Sequence, residues 1–321
     1  MNLLDSIQLT MEKLEAELIE QVRSRVPVAF EISAHILRSG GKRIRPQLTI
    51  LCARMGGYTG ANAIKLSGAI EAIHTATLLH DDVVDHAETR RGQPAANRVW
   101  SNEMCVLGGD FLLSRAFSAL TSIGNLRILE IVAATTCRLS EGELFQMSHI
   151  GNIHLSEEDY LRIIADKTAI LMETACRGGA ILGNLSPDHE EALASFGYGL
   201  GMAFQITDDV IDYRSDAKTM GKQPGMDLLE GKLTLPLISA LKKADDAEKE
   251  RVALIIGERR LEDGDFDWVK SFLERRGGIQ EALSKAREYL SAAVEELRIF
   301  PDSFEKNALL SIAQRILDRT Y

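Results

Sequence analysis

Apolar residues along this chain recur at intervals of three and four. Leu3, Ile7, Met11, Leu14, Leu18 and Val22 form one such series. Leu161, Ile164, Ala165, Thr168, Leu171 and Met172 form a second, and Ile279, Leu283, Ala286, Leu290 and Val294 a third. That period lines one face of an α-helix. Helix starts are marked as well. Ser186–Pro187 offers a cap and a first-turn proline, Ser156 precedes Glu157 and Asp159, and glycines follow several of the runs. The sequence contains no useful strand alternation, low-complexity tract, solenoid repeat or dividing linker. The pattern predicts a single all-α domain over 1–321, with about ten to thirteen helices.

Composition narrows the class. The chain has 321 residues, 45% hydrophobic and 26% charged, which is enough to build a sizeable core. A formal net charge of −10 argues against nucleic acid as the main partner. Cys52, Cys105, Cys137 and Cys176 are scattered without a CxxC pair or zinc spacing, and are expected to be reduced, buried, cytosolic thiols. The first 21 residues carry five acidic residues and one lysine, unlike a secretory signal or transit peptide. No uninterrupted apolar stretch approaches the roughly 20 residues of a membrane span. The expectation is a cytoplasmic protein without a membrane span, still able to take a lipophilic ligand.

One helical run ends in a cluster of like charge. In LLHDDVVDHAETRRG, residues 78–92, three aspartates follow Ile70, Ile73, Leu78 and Leu79. Gathering carboxylates behind an apolar run is costly unless cations or donors compensate. The motif recurs in FQITDDVIDY, residues 204–213. On a helix, Asp81 stands over Asp85, and Asp208 over Asp212, one turn apart. Carboxylates so spaced suit magnesium, which takes one or two of them and completes its shell with water and phosphate. A solvated acidic helix end explains two such motifs, each behind an apolar helix, less well than it explains one. Thr77, His74 and Ile70 share the Asp81 stripe, and Gln205 and Gly201 share that of Asp208. A polar tip above a wall of apolar and small residues describes a pocket with metals at its mouth.

Basic residues gather nearby in sequence. GGKRIRP (40–46) places Lys42, Arg43 and Arg45 after two glycines, Arg90 and Arg91 follow the first motif, and Lys167 lies within ADKTAILME. GKQPGMDLLEGKLTLP (221–236) adds Lys222, Asp227 and Lys232. Glycine admits close approach to anions, and arginine grips phosphate through two donors at once. With no P-loop and no kinase signature, the inventory points to a polyphosphate other than a nucleotide.

Taken in order, GGKRIRP, HTATLLHDDVVDHAETRRG, GGDFLLSRAF, DKTA, FQITDDVIDY, GKQPGMD and GKLTLP resemble the trans-isoprenyl diphosphate synthases, the polyprenyl synthetase family. The resemblance implies an isoprenoid-synthase helical bundle around a deep central cavity. It also implies a magnesium-dependent prenyltransferase that joins isopentenyl diphosphate to an allylic diphosphate by ionisation, condensation and elimination. By that similarity Asp81 and Asp85 hold magnesium on the allylic diphosphate, supported by Asp82, and Asp208 completes the metal set, helped by Asp209 and Asp212. Arg90, Lys167, Lys222 and Lys232 would contact the allylic diphosphate. Lys42, Arg45, His74 and Arg91 would form a metal-free isopentenyl diphosphate site. Thr168 and Gln205 would turn oxygen dipoles toward the allylic cation.

Short-chain relatives place bulky aromatics four or five residues before the first motif. Here those positions are Thr77 and Ala76, so a long product of about forty to fifty carbons is expected. Thr77 lies on the Asp81 stripe. Ala76 falls about 140° from it on an ideal helix, so its place in the tunnel rests on the resemblance. Leu112, Leu113, Phe117 and Leu139 could form a deeper floor. A geranylgeranyl or farnesyl diphosphate synthase is the alternative. A terpene cyclase would need no isopentenyl site, and a non-catalytic partner subunit would typically have lost aspartates or arginines that this chain keeps. The resemblance also implies a homodimer, with the apolar segment Met104–Leu120 contributing to the interface.

Overall fold

The structure, a computed structural model, describes residues 3–214 and 225–318, with side chains from Met11 onward and that of Leu317 excepted. Its described residues carry 15 helices, counting 157–182 as one helix with an internal π turn. The excess over ten to thirteen comes from short elements such as Ala96–Val99 and Met226–Leu229, too brief to leave a periodic trace. The all-α expectation is correct. The described strands are Thr89–Arg90 and Gln93–Pro94, paired antiparallel.

Contacts group the chain into two compact units, each drawn from several stretches. The first comprises Met1–Thr136, Leu171–Ala194 and Ile299–Leu309; the second comprises Cys137–Ile170, Ser195–Arg298 and Leu310–Tyr321. The described residues of the three apolar series are buried or half-buried. Leu14, Leu18 and Val22 are fully buried in the first unit, and Ile279, Ala286 and Leu290 are buried in the second.

In the first unit, the helix Ala61–Val84 is the scaffold for the first motif. Its neighbours Leu3–Gln21, Ile44–Met55 and Asn102–Ile123 pack along it. Asn102–Ile123 is the one described helix long and apolar enough to cross a membrane by length and composition. It turns Cys105, Gly108, Gly109, Leu112, Ala116 and Leu120 inward. Cys52, Cys105 and Cys176 are buried as expected, whereas Cys137 is exposed on the outer face of Leu126–Ser148.

The second motif lies in the second unit, at the C-terminal end of helix Pro187–Arg214. Helix Glu157–Ile164 begins at Ser156, whose hydroxyl caps the Asp159 amide at 3.0 Å, and passes into a π turn, Ala165–Ala169. The π turn holds the ADKTA segment that sequence periodicity reads as ordinary helix. Such turns are rare and concentrate at functional sites. Gly201 makes room for it, since a Cβ there would lie 2.5 Å from the Ala169 Cα. Gly201→Ala should therefore destabilise the chain by about 1–3 kcal/mol through overpacking, despite the gain of about 1 kcal/mol in helix propensity. Urea denaturation would read this as a lower midpoint, and an unchanged midpoint would contradict the tight packing.

Candidate active site

The two aspartate motifs follow one structural rule. The Asp85 amide donates to the Asp81 carbonyl at 2.8 Å, so these two stand one turn apart at the helix end, both half-buried. Asp82, between them, is completely buried. Its Oδ1 accepts from Arg90 Nε at 2.8 Å and from Arg90 Nη2, while its backbone carbonyl accepts from Asn97 at 2.9 Å. Asp82 Oδ2 is buried without a hydrogen-bond partner. In the second motif, Asp208 is exposed and Asp212 half-buried, whereas Asp209 is buried. Asp209 Oδ2 accepts from the Tyr160 hydroxyl at 2.6 Å, and Oδ1 from Gln205 Nε2 at 2.8 Å. The middle aspartate of each copy is thus tied to the protein, and the outer two reach the surface.

Burial, opposed by the Tyr160 and Gln205 hydrogen bonds and reinforced by Asp208 and Asp212, pushes Asp209 up to about 7. Asp227 is driven well above the ordinary carboxylate range by burial and then by Asp209 and Asp212. Its backbone amide donates to Asp212 Oδ2 at 3.2 Å. Excess negative charge of this kind is what a hard cation relieves. Among the described residues, no three His, Cys, Asp or Glu side chains converge on one metal position. Magnesium does not require such a cage, since water and phosphate oxygens complete its shell.

The basic residues of the first unit form a nest. Arg90 and Arg91 lie on the small hairpin, whose two-residue loop, Arg91–Gly92, has φ of 52° and 77° as a type I′ turn requires. Arg90 turns to Asp82, and Arg91 lies against Gly41, where a Cβ would come within 2.9 Å of its Nη1. The glycine therefore lets the GGKRIRP loop and the RRG loop meet. Arg43 is a strut, donating to Glu71 at 2.9 Å, Glu15 at 2.8 Å and the Leu37 carbonyl at 2.7 Å. Arg45 keeps a buried Nε with no partner. Burial, followed by the charges of Arg45, Arg91, Arg90 and Arg43, holds His74 well below the usual histidine range. Burial also lowers Arg45 and Arg91, each relieved by Glu71 and opposed by a neighbouring arginine. Cations that repel one another this strongly would be relieved by an anion.

Lys42 is exposed beside the nest, and its carbonyl accepts from Gln47 Nε2 at 2.7 Å. In the second unit, Lys167 on the π turn is held by Glu143 and Gln146, and Thr168 donates to Gln205 Oε1 at 2.8 Å. Lys232 pairs with Glu230 at 2.6 Å. Lys222 lies outside the described residues. Ala76 is 2% exposed within an apolar cluster that includes Leu14, Ile36, Leu79, Cys105 and Leu112, with Leu113 packed against it. Thr77 is half-buried and donates to the His74 carbonyl at 2.8 Å.

Tyr160, Glu143 and Gln146 are absent from the residues selected by motif. Glu143 and Gln146 follow the inward series Ile128, Val132, Thr135 and Leu139 on one helix, so polar residues entering an apolar stripe were the available signal. Tyr160 had none, because its partner Asp209 is distant in sequence.

The chain belongs to the polyprenyl synthetase family, whose model matches residues 26–273. It is 39% identical over 313 residues to the octaprenyl diphosphate synthase of Haemophilus influenzae, covering 97% of this chain and 94% of that one. Its fold matches a decaprenyl diphosphate synthase from Rhodobacter capsulatus with a TM-score of 0.94 at 37% identity, over 99% and 98% of the two chains. A polyprenyl synthase from Caulobacter crescentus, solved with calcium and isoprenyl diphosphate, matches at 0.93 and 36%, over 98% and 96%.

His74 gives a pH test. An unfolded histidine takes its proton near pH ~6.5 and the folded His74 resists it, so folding weakens as pH falls below about 6.5. An anion in the nest raises His74 again, so binding takes up protons between its depressed value and about 6.5. Calorimetry with pyrophosphate near pH ~6, in buffers of different ionisation enthalpy, should detect that uptake. The uptake should vanish in His74→Gln, and buffer-independent heats in the parent would contradict the assignment.

Proposed function

We propose that the chain, acting as one catalytic domain over 1–321, extends an allylic prenyl diphosphate with isopentenyl diphosphate to a long all-trans product. The observation that carries this is the division of charge. One arginine–histidine nest has cations and no metal-type carboxylate pair of its own, while each motif turns two aspartates outward. Two diphosphates with different needs suit that inventory. The nest, Lys42, Arg45, His74 and Arg91, takes isopentenyl diphosphate. Asp81 and Asp85, with Asp208 and Asp212, take magnesium and the allylic diphosphate, joined by Arg90, Lys167, Lys222 and Lys232.

When bound, magnesium supplies charge neutralisation at the departing diphosphate. Lys167 and Lys232 add positive charge there, sharing it with Glu143, Gln146 and Glu230. The carbon–oxygen bond of the allylic diphosphate breaks, and the double bond of isopentenyl diphosphate forms the new carbon–carbon bond. Loss of a proton to the released pyrophosphate restores the double bond. Thr168 and Gln205 turn oxygens to the cation, and apolar walls exclude the water that would quench it. Asp82 and Asp209 serve by holding their neighbours in place.

A product of about forty to fifty carbons agrees with small residues at Ala76 and Thr77 and with the octaprenyl and decaprenyl relatives. The same reading takes the chain as a cytoplasmic homodimer, with Val106 and Leu107 exposed on Asn102–Ile123 for the contact.

Purified protein given labelled isopentenyl diphosphate, farnesyl diphosphate and magnesium should yield that chain length after dephosphorylation. A stop at twenty carbons would refute the long product and keep the chemistry. Asp81→Ala or Asp208→Ala should lower turnover by at least about 100-fold with melting unchanged or raised, and wild-type rates would refute the metal role. Thr77→Phe or Ala76→Tyr should shorten the product, and an unchanged product from both would place the floor elsewhere.

A further inference from the structure

Thr168 and Gln205 can stabilise a cation only if their oxygens face it, a role that rests on the prenyl transfer proposed for this chain. Neither side chain fixes its own polarity. A hydroxyl rotates its proton freely, and an amide exchanges its C=O and NH2 faces by a half turn. Four side chains from two helical segments form a chain of hydrogen bonds that removes this freedom. Tyr160 and Thr168 stand on either side of the entry into the π turn, and Gln205 and Asp209 stand one turn apart on Pro187–Arg214. Tyr160 Oη donates to Asp209 Oδ2 at 2.6 Å, Gln205 Nε2 donates to Asp209 Oδ1 at 2.8 Å, and Thr168 Oγ1 donates to Gln205 Oε1 at 2.8 Å. Tyr160 is 3% exposed, Asp209 6% and Thr168 9%, so water does not compete for most of these groups.

We propose that Tyr160 is a positioning residue that sets the direction of this hydrogen-bond chain and thereby turns the lone pairs of Thr168 toward the allylic cation. In its ionised form Asp209 accepts and does not donate, so it receives the NH2 face of Gln205 and no other. Gln205 must then offer Oε1 to Thr168. Thr168 has a single proton, and with that proton given to Gln205 only lone pairs remain for the substrate. The Tyr160 hydroxyl secures the second carboxylate oxygen and so fixes the plane in which the first meets Gln205. Without it, Asp209 has a buried oxygen lacking its donor and is free to rotate, and the amide is free to turn over. A reversed amide would donate to Thr168, whose proton would then point at the developing positive charge.

The test is a kinetic double-mutant cycle of Tyr160→Phe and Thr168→Val with isopentenyl diphosphate, farnesyl diphosphate and magnesium. Tyr160→Phe should lower kcat by about 10- to 100-fold and leave both KM values within about twofold, since the substrates' binding groups are untouched. In the Thr168→Val background, where only Gln205 Oε1 remains to orient, the same change should cost clearly less in kcat. Full kcat in Tyr160→Phe, or equal losses in both backgrounds, would overturn the inference, because a merely structural role multiplies. If Tyr160→Phe does not fold, Asp209→Asn decides by the same cycle, as its amide can present NH2 to Gln205 Oε1 and reverse the chain. A wild-type chain without turnover overturns the proposed reaction and this inference together, while an active wild type with an unaffected Tyr160→Phe overturns the inference alone.

Discussion

Repulsion between like charges held partly out of water is the constraint on which the rest of this molecule depends. Carboxylates gather at the ends of two apolar helices, and arginines gather around one half-buried histidine. Each cluster opposes folding, because partial burial strengthens the repulsion that water would screen. The chain relieves only part of it. Asp82 is neutralised by Arg90, Asp209 receives two donors, and Arg43 is bound by Glu71 and Glu15. What remains is informative: the raised carboxyls of Asp209 and Asp227, the unpaired Nε of Arg45 and the suppressed basicity of His74. Ligand charge of opposite sign would complete each account, and in that sense the active site is a stability deficit kept for function.

The supporting structure is correspondingly well tied. Arg43, with φ of 48° at the start of Ile44–Met55, reaches three separate segments and so holds the loop of Lys42 and the helix start that carries Arg45. In the second unit, a π turn, a glycine pressed on its backbone and an Arg138–Asp166 pair at 2.8 Å fix where Lys167 and Thr168 point. Positioning of this kind is costly to build, which explains why buried polar side chains surround the reacting ones.

Much of this was legible in the chain. The three- and four-residue period of Leu14, Leu18 and Val22 is enough to predict a buried helix face, and the spacing of Asp81 and Asp85 predicts carboxylates one turn apart. Both features are local, so sequence carries them directly. Local pattern could not reveal that Asp82 and Asp209 turn inward, since neighbouring aspartates look alike until a helix is given a core side. The partnership of Tyr160 with Asp209 depends on two helices meeting, and no spacing encodes it. The π turn is hidden for another reason: Leu161, Ile164, Ala165, Thr168, Leu171 and Met172 keep a helical rhythm, and the extra residue is accommodated by Gly201 on a different helix. The I′ hairpin at Arg91–Gly92 is too short to register as strands.

The central claim is that one diphosphate is held by cations alone and the other through metal. Titration calorimetry of the purified chain with each substrate separately, first with excess chelator and then with magnesium, tests it most directly. Isopentenyl diphosphate should bind equally well in both conditions, and more weakly as salt is added. Allylic diphosphate should bind only when magnesium is present. If both diphosphates required magnesium, or neither did, the division of charge described here would be wrong.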